Sequence, residues 1–228
     1  HATGQMAVPV LLAELPKLMP HYVLAFVRQN EALTPMAVLG LQSGENLYLH
    51  PNGRWLGHYV PSTLRGYPFG LARTSQSDQT LVIDDAYLNE GESGQKLFTD
   101  DGSLSDPVSK TLAFLTECAQ NKRVTQEATA ALEEAGVLTP WTLSLTVNDT
   151  TRTLEGLYRI DEQALNRLSA EAYAGLQGAP MTLAYAQLFA THQTEQLIQR
   201  AKLHAPAAEE EPSEAAARFF NDEDDAII

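Results

Sequence analysis

An α+β fold in one domain is what this sequence predicts, on three observations. Short apolar runs separated by turn formers fill residues 22–83, a helical period sets in at Asp106, and two alternating runs follow residue 140 between helical stretches. The predicted order is an N-terminal antiparallel β-meander, a helical segment, a β-hairpin and C-terminal helices. With 228 residues, 44% of them hydrophobic and 19% charged, the chain is long enough to bury a substantial core. The domain is expected to span residues 1–203, followed by an acidic tail over 204–228.

In the first half, YVLAFVR, MAVLGL, NLYLH and TLVID are rich in β-branched, aromatic and aliphatic residues. Ser43-Gly44 and Pro51-Asn52-Gly53 punctuate them. Asn52-Gly53 reads as a hairpin turn, since both residues tolerate the positive φ of a primed turn. Asp106-Pro107 reads as a helix start, with proline at the first helical position where its missing N–H costs nothing. Val108, Leu112, Leu115 and Cys118 share a face of that helix. A second helix is predicted over Thr125–Ala135, ended by Gly136. WTLSLTV and RTLEGLYRI then form a hairpin about Asn148-Asp149-Thr150. Asp161 caps a helix carrying Leu165 and Leu168, and Pro180 opens a last one with Met181, Ala184, Tyr185, Leu188 and Leu197 on its buried stripe.

From His204 onward, eight acidic residues face one basic residue, Arg218, so the tail holds −7 of the formal net charge of −14. Such a stretch is expected to be solvated; alternatively Phe219-Phe220 and Ala226-Ile227-Ile228 are apolar anchors that dock on the body or on a partner. The overall charge disfavours nucleic acid and anionic membrane as partners.

The single cysteine, Cys118, excludes an intramolecular disulfide framework and a cysteine-rich zinc site. It is expected to be a small apolar filler on its helix. No run reaches the length of a membrane span. The opening residues HATGQMAVPVLLAELPKLMP lack a basic leading region, and Glu14 and Pro16 interrupt their apolar run, so a cytoplasmic location is expected.

None of the six histidines sits at metal-ligand spacing, and no cofactor is expected. The nucleotide, phosphate-loop and hydrolase signatures are absent. Asp84-Asp85 ends an apolar run, where capping or turn formation competes with acid/base or metal chemistry. The densest constellation runs from Trp55 to Phe69, with aromatics, two prolines, His58 and Arg65. Flat rings beside a cationic fork suit a peptide, aromatic or carboxylate-bearing ligand, so Tyr59, Arg65, Tyr67 and Phe69 are the candidate ligand-binding residues. The competing reading makes the rings core and Arg65 a brace.

The segments GENLYLHPNGRW, YVPSTLRGYPFGL, LVIDD, LFTDDGSLSDPV, ALEEAGVLTPW, LEGLYRIDEQALNRLS and MTLAYAQLFA occur in this order over residues 9–200. By these the chain resembles the SapC family of bacterial proteins. The resemblance implies association with a surface-layer locus and with envelope functions. It supplies no reaction and no catalytic residue set, and a locus is not a mechanism. The leading expectation is therefore a non-catalytic binding or accessory protein of a cell-surface system, with a protein or small-ligand partner. The alternative is an enzyme whose site, possibly metal-dependent, assembles from His50 or His58 with Asp84 and Asp85. Oligomeric state is not legible in the sequence.

Overall fold

A computed structural model of the protein describes residues 1–73, 79–89 and 94–204. Its main sheet has five antiparallel strands in the order β1-β3-β2-β7-β6. These are β1 (Ala7–Pro9), β2 (Val23–Gln29), β3 (Ala32–Val38), β6 (Leu138–Val147) and β7 (Thr150–Ile160). A separate two-stranded ribbon joins β4 (Phe69–Arg73) to β5 (Gln79–Ile83). The class is α+β, as predicted. The five-stranded sheet, however, joins three N-terminal strands to two that follow the long helix at 106–134, rather than forming from an N-terminal meander alone.

The two sheet hairpins turn on Asn30-Glu31 and Asn148-Asp149, each with positive φ at both residues. That is the two-residue geometry whose twist matches its flanking strands. The predicted primed turn at Asn52-Gly53 differs. There the Gly53 N–H donates to the His50 carbonyl (2.8 Å), only Gly53 is left-handed (φ 84°), and the His50 N–H reaches the Arg54 carbonyl (2.9 Å). Pro51 at the second turn position and glycine at the fourth favour this type I turn with a bulge. The NLYLH run is not a strand; Leu49 alone bridges to Trp55. Buried Asn46 bends the segment, its side chain accepting from the Tyr48 N–H (2.9 Å) and donating to the Ala2 carbonyl (2.8 Å).

Helix α3 runs unbroken over Asp106–Glu134, where two helices were predicted. Between Pro107 and Gly136 it contains no glycine or proline, so nothing local ends it. Ser105, not Asp106, occupies the N-cap position. At the other end Gly136 adopts φ 68°, its N–H bonding to the Glu133 carbonyl (3.0 Å) and the Val137 N–H to the Leu132 carbonyl (3.3 Å). This reciprocal pattern stops a helix with a left-handed residue and sets Val137 and Leu132 together, both fully buried.

The short helices are α1 (Leu15–Leu18), α2 (Ser62–Arg65), α4 (Glu162–Asn166) and α5 (Ala170–Gly175). Asp161 caps α4 as predicted, accepting from the Gln163 and Ala164 N–H groups at 2.9 and 3.0 Å. The last predicted helix is two: α6 (Ala179–Ala190) and α7 (Thr194–His204). The buried face of α6 is Leu183, Ala184, Ala186, Gln187 and Ala190, whereas Tyr185 is exposed. Leu197 belongs to the buried side of α7.

Helices α3 and α6 pack on each other, α3 on β3 and α6 on β2 and β7, and α7 packs on β6. Strand β2 is buried at four successive positions, Val23–Phe26, whereas β6 alternates between core and solvent over Leu143–Val147 and β7 is buried at Leu154, Leu157 and Ile160. Pairing between β2 and β7 is confined to Phe26 with Tyr158 and Val27 with Leu157. Past that point buried Gln187 completes the seam: its amide nitrogen donates to the Leu24 carbonyl (3.1 Å) and its oxygen accepts from the Ile160 N–H (2.9 Å). One side chain thus satisfies two ladder groups that would otherwise be orphaned.

The left-handed Gly136 has open space around it, so a Cβ there meets only backbone strain. Gly136→Ala should cost about 1–2 kcal/mol, read as a lower urea midpoint with an unchanged m-value.

Candidate functional site

The site begins with a short helical turn. Residues Leu12–Glu14 form a 3-10 turn that leads directly into α1. The first amides of any such turn lack internal partners. Here they are met from outside: the Leu12 N–H donates to Thr125 Oγ1 (2.9 Å) and the Ala13 N–H to Asn121 Oδ1 (3.1 Å), both on α3. The Leu11 N–H is met by Glu14 itself, which reaches back with Oε1 (2.8 Å).

That reach places the Glu14 carboxylate in the interior, with the residue 4% exposed. An ionised carboxylate survives burial only when its lone pairs are filled. Ser62 fills two of them, its Oγ donating to Oε1 (2.9 Å) and its N–H to Oε2 (2.8 Å). The Tyr59 hydroxyl donates the fourth bond, to Oε2 (3.0 Å). Arg65 Nη2 donates in turn to the Tyr59 hydroxyl oxygen (2.7 Å), so a relay runs from an exposed guanidinium through a phenol to a buried carboxylate.

Tyr59 is fixed from behind by an aromatic stack. The Tyr22 hydroxyl donates to the Tyr59 carbonyl, and Trp55 Nε1 lies 3.1 Å from both that carbonyl and the Tyr22 oxygen. Tyr22 stacks on Tyr48 (4.5 Å), Tyr48 on Trp55 (5.9 Å), and the Arg200 guanidinium lies 4.2 Å from the Tyr48 ring. Gly57 is the residue this packing demands, because a Cβ there would lie 2.6 Å from the Tyr22 oxygen and 2.8 Å from Trp55 Nε1.

In front of Tyr59 lies a cavity of about 250 Å³. Glu14, Lys17, Tyr59, Arg65, Phe114 and Cys118 are among its lining residues. The Arg65 guanidinium carbon is 5.0 Å from the Tyr59 ring centre and 4.7 Å from that of Phe114, and Lys17 Nζ is 5.4 Å from the Tyr59 ring. Two solvent-exposed cations therefore stand over aromatic faces, an arrangement that holds them without neutralising them. Burial, reinforced by Glu14, pushes the Tyr59 hydroxyl up to about 12 and raises the Cys118 thiol. The phenol thus stays a neutral donor, and the half-buried thiol is held away from its nucleophilic form.

Of the four candidate ligand-binding residues, Tyr59 and Arg65 line this cavity and Tyr67 and Phe69 do not. Tyr67 stacks on His1 (3.9 Å), meets Tyr87 edge-on (5.0 Å) and donates its hydroxyl to Asp84 Oδ2 (2.8 Å). Phe69 lines a small apolar recess of about 130 Å³ with Leu81, Phe98 and Val108.

Among the described residues no group of three or more His, Cys, Asp or Glu side chains is placed to hold a metal ion. His50 Nδ1 accepts from the Asn52 N–H (3.2 Å), and His58 lies against His21 (4.7 Å between ring centres). Asp84 caps the turn at Asp85–Tyr87 by accepting from the Ala86 N–H (3.1 Å). The docking or solvation expected of the acidic tail lies outside the described residues, apart from His204.

The residue missed in the sequence is Glu14, which stands there only as an interruption of an apolar run. Its spacing of three from Leu11, the reach of a side chain back to the start of a turn, was the available signal.

Fold and site together define an α+β domain that carries a small, cation-walled pocket over a buried, fully bonded carboxylate. The chain belongs to the SapC family, whose family model matches residues 1–197 and so covers the sheet and every residue of the pocket. No curated protein and no solved structure matches it significantly.

Two outcomes follow. Glu14→Gln turns an amide NH₂ toward either the Leu11 or the Ser62 N–H, so a buried donor meets a donor; a loss on the order of 2–3 kcal/mol in chemical denaturation is expected. Burial also raises Tyr22 to about 12, beside Tyr59 at about 12, each from an ordinary value of 10.0. Both are neutral in the fold, so their stabilisation is whole below pH 10 and drains away as pH rises from about 10 through 12. Alkaline unfolding followed by circular dichroism, beside the phenolate absorbance, should show the two rising together across that window, and a shallower fall for Tyr59→Phe.

Proposed function

We propose that this SapC-family chain is a non-catalytic accessory protein of a bacterial cell-surface system, acting by binding, with the Tyr59–Arg65 wall as its recognition surface. One observation carries the reading: Arg65 is exposed yet held in place, flanked by the Tyr59 and Phe114 rings and tied through the Tyr59 hydroxyl to Glu14. A guanidinium fixed in this way keeps donors for a ligand's carboxylate or carbonyl while losing little side-chain freedom on binding. The rings exclude water from one side of the contact. At about 250 Å³ the cavity suits a small group, such as one acidic side chain of a partner, better than a large cofactor. Tyr67 and Phe69 extend the recognition surface along the same chain segment.

The test is capture from an envelope extract of the native organism with the full chain, wild type beside Arg65→Ala. The variant is expected to keep its circular dichroism and melting temperature and to lose the captured species. A variant that folds and captures the same species at the same yield overturns the assignment.

A further inference from the structure

A cavity of about 780 Å³ opens between α6 and the β6–β7 ladder, and it shares no lining residue with the Tyr59 pocket. One wall is aromatic. Helix α6 turns Leu183, Ala184, Gln187 and Ala190 to the core, so Tyr185 and Phe189, four residues apart, fall together on its outer side. There they remain 40% and 62% exposed, with ring centres 6.3 Å apart and planes within 25° of parallel. The Tyr173 hydroxyl of α5 lies 3.2 Å from that of Tyr185 and steadies it. Large aromatic faces left in water beside a cavity are a departure from ordinary burial that calls for a ligand-based reading.

The rest of the lining is polar. Thr139 and Arg159 are direct partners across the β6–β7 ladder, so their side chains leave the same face of the sheet. The Arg159 guanidinium carbon lies 5.9 Å from the Trp141 ring centre, which holds it without neutralising it. Asp161 caps α4 through Oδ1 alone, at 2.9 and 3.0 Å, and among the described residues no donor meets its Oδ2. Glu162 and His192 also line the cavity. Among the described residues no salt bridge joins Arg159 or His192 to either carboxylate. Donors and acceptors are thus both on offer, and neither sign of charge dominates.

That combination discriminates among ligand classes. An anion would meet Asp161 and Glu162, a cation would meet Arg159 and His192, and a wholly apolar segment would desolvate all four without supplying partners. A neutral molecule with an apolar face and a rim of hydroxyls satisfies every group, since each hydroxyl can donate to a carboxylate and accept from a guanidinium or imidazole. Sugar rings are built in this way, and their C–H faces suit the exposed aromatic pair. The volume lies in the upper part of the roughly 300–1,000 Å³ range of ligand clefts, which leaves room for more than one ring. We propose that the cavity between α6 and the β6–β7 ladder binds a neutral oligosaccharide, with Tyr185 and Phe189 as the stacking platform and Arg159 and Asp161 orienting its hydroxyls.

The full chain is applied to an array of short neutral oligosaccharides, and the best-retained sugar is titrated calorimetrically into wild type, Phe189→Ala and Arg159→Ala. Both side chains are exposed, so the variants are expected to keep the wild-type melting temperature. Affinity should fall about ten-fold in each, from the loss of one stacking face or of one charge-assisted hydrogen bond. Phe189→Leu keeps apolar bulk without the flat face and should fall likewise. Binding should hardly change between about 0.05 and about 0.5 M salt, because the ligand carries no charge to be screened. Arg65→Ala, in the separate pocket, should bind the sugar as wild type does, so this site and the Tyr59–Arg65 surface stand or fall independently. An array that retains nothing overturns the proposal, and so does a sugar held equally by wild type, Phe189→Ala and Arg159→Ala, or one released by salt.

Discussion

The carboxylate of Glu14 is the point on which the candidate site depends. A charge in the interior is tolerated only with its hydrogen bonds complete, and this one completes them with donors from three places in the chain: Leu11, Tyr59 and Ser62. Satisfying the carboxylate therefore fixes the position of the 59–65 segment relative to the N-terminal turn. The same four bonds that make burial bearable are the ones that assemble the pocket wall. Charge-assisted bonds to a buried acceptor are stronger than neutral ones, which makes the joint stiff.

Outside that joint the arrangement reverses. Arg65 and Lys17 lie at the surface, over aromatic rings, with no carboxylate bonded directly to them among the described residues. Glu14 influences Arg65 through the Tyr59 hydroxyl rather than by a direct ion pair, so the guanidinium is oriented without being consumed. A direct Glu14–Arg65 pair would have quenched the guanidinium and left Lys17 as the accessible cation of the pocket. The phenol between them separates a structural charge from an accessible one.

Features set by a few neighbouring residues were legible in the sequence. The Asp161 cap and the Asn148-Asp149 turn are decided within four positions, and Tyr59 and Arg65 stood out by residue type alone. Glu14 was hidden because its decisive partners lie 45 and 48 positions away, and its spacing of three from Leu11 marks a turn start without revealing the distant donors. Gln187 was hidden for the same reason, since Leu24 and Ile160 come together only in the finished sheet. Dividing α3 in two went beyond what the residues supported, because Val124-Thr125 contains no helix stop. Reading Tyr185 as core failed for a different cause: a strongly apolar helix such as α6 has several candidate stripes, and packing against β2 and α3 selects one of them.

The Gln187 seam also constrains the order in which the molecule can be built. The hairpins β2–β3 and β6–β7 each close within a dozen or so residues of their turns, whereas β2 meets β7 across more than a hundred residues of intervening chain. Joining them fastens only two registers directly and leaves the neighbouring backbone groups waiting for a side chain from α6. The two halves of the sheet are thus kinetically separate until nearly the whole domain has emerged, and the last helices lock the central strands rather than merely cover them. Such non-local closure belongs to slow-folding topologies.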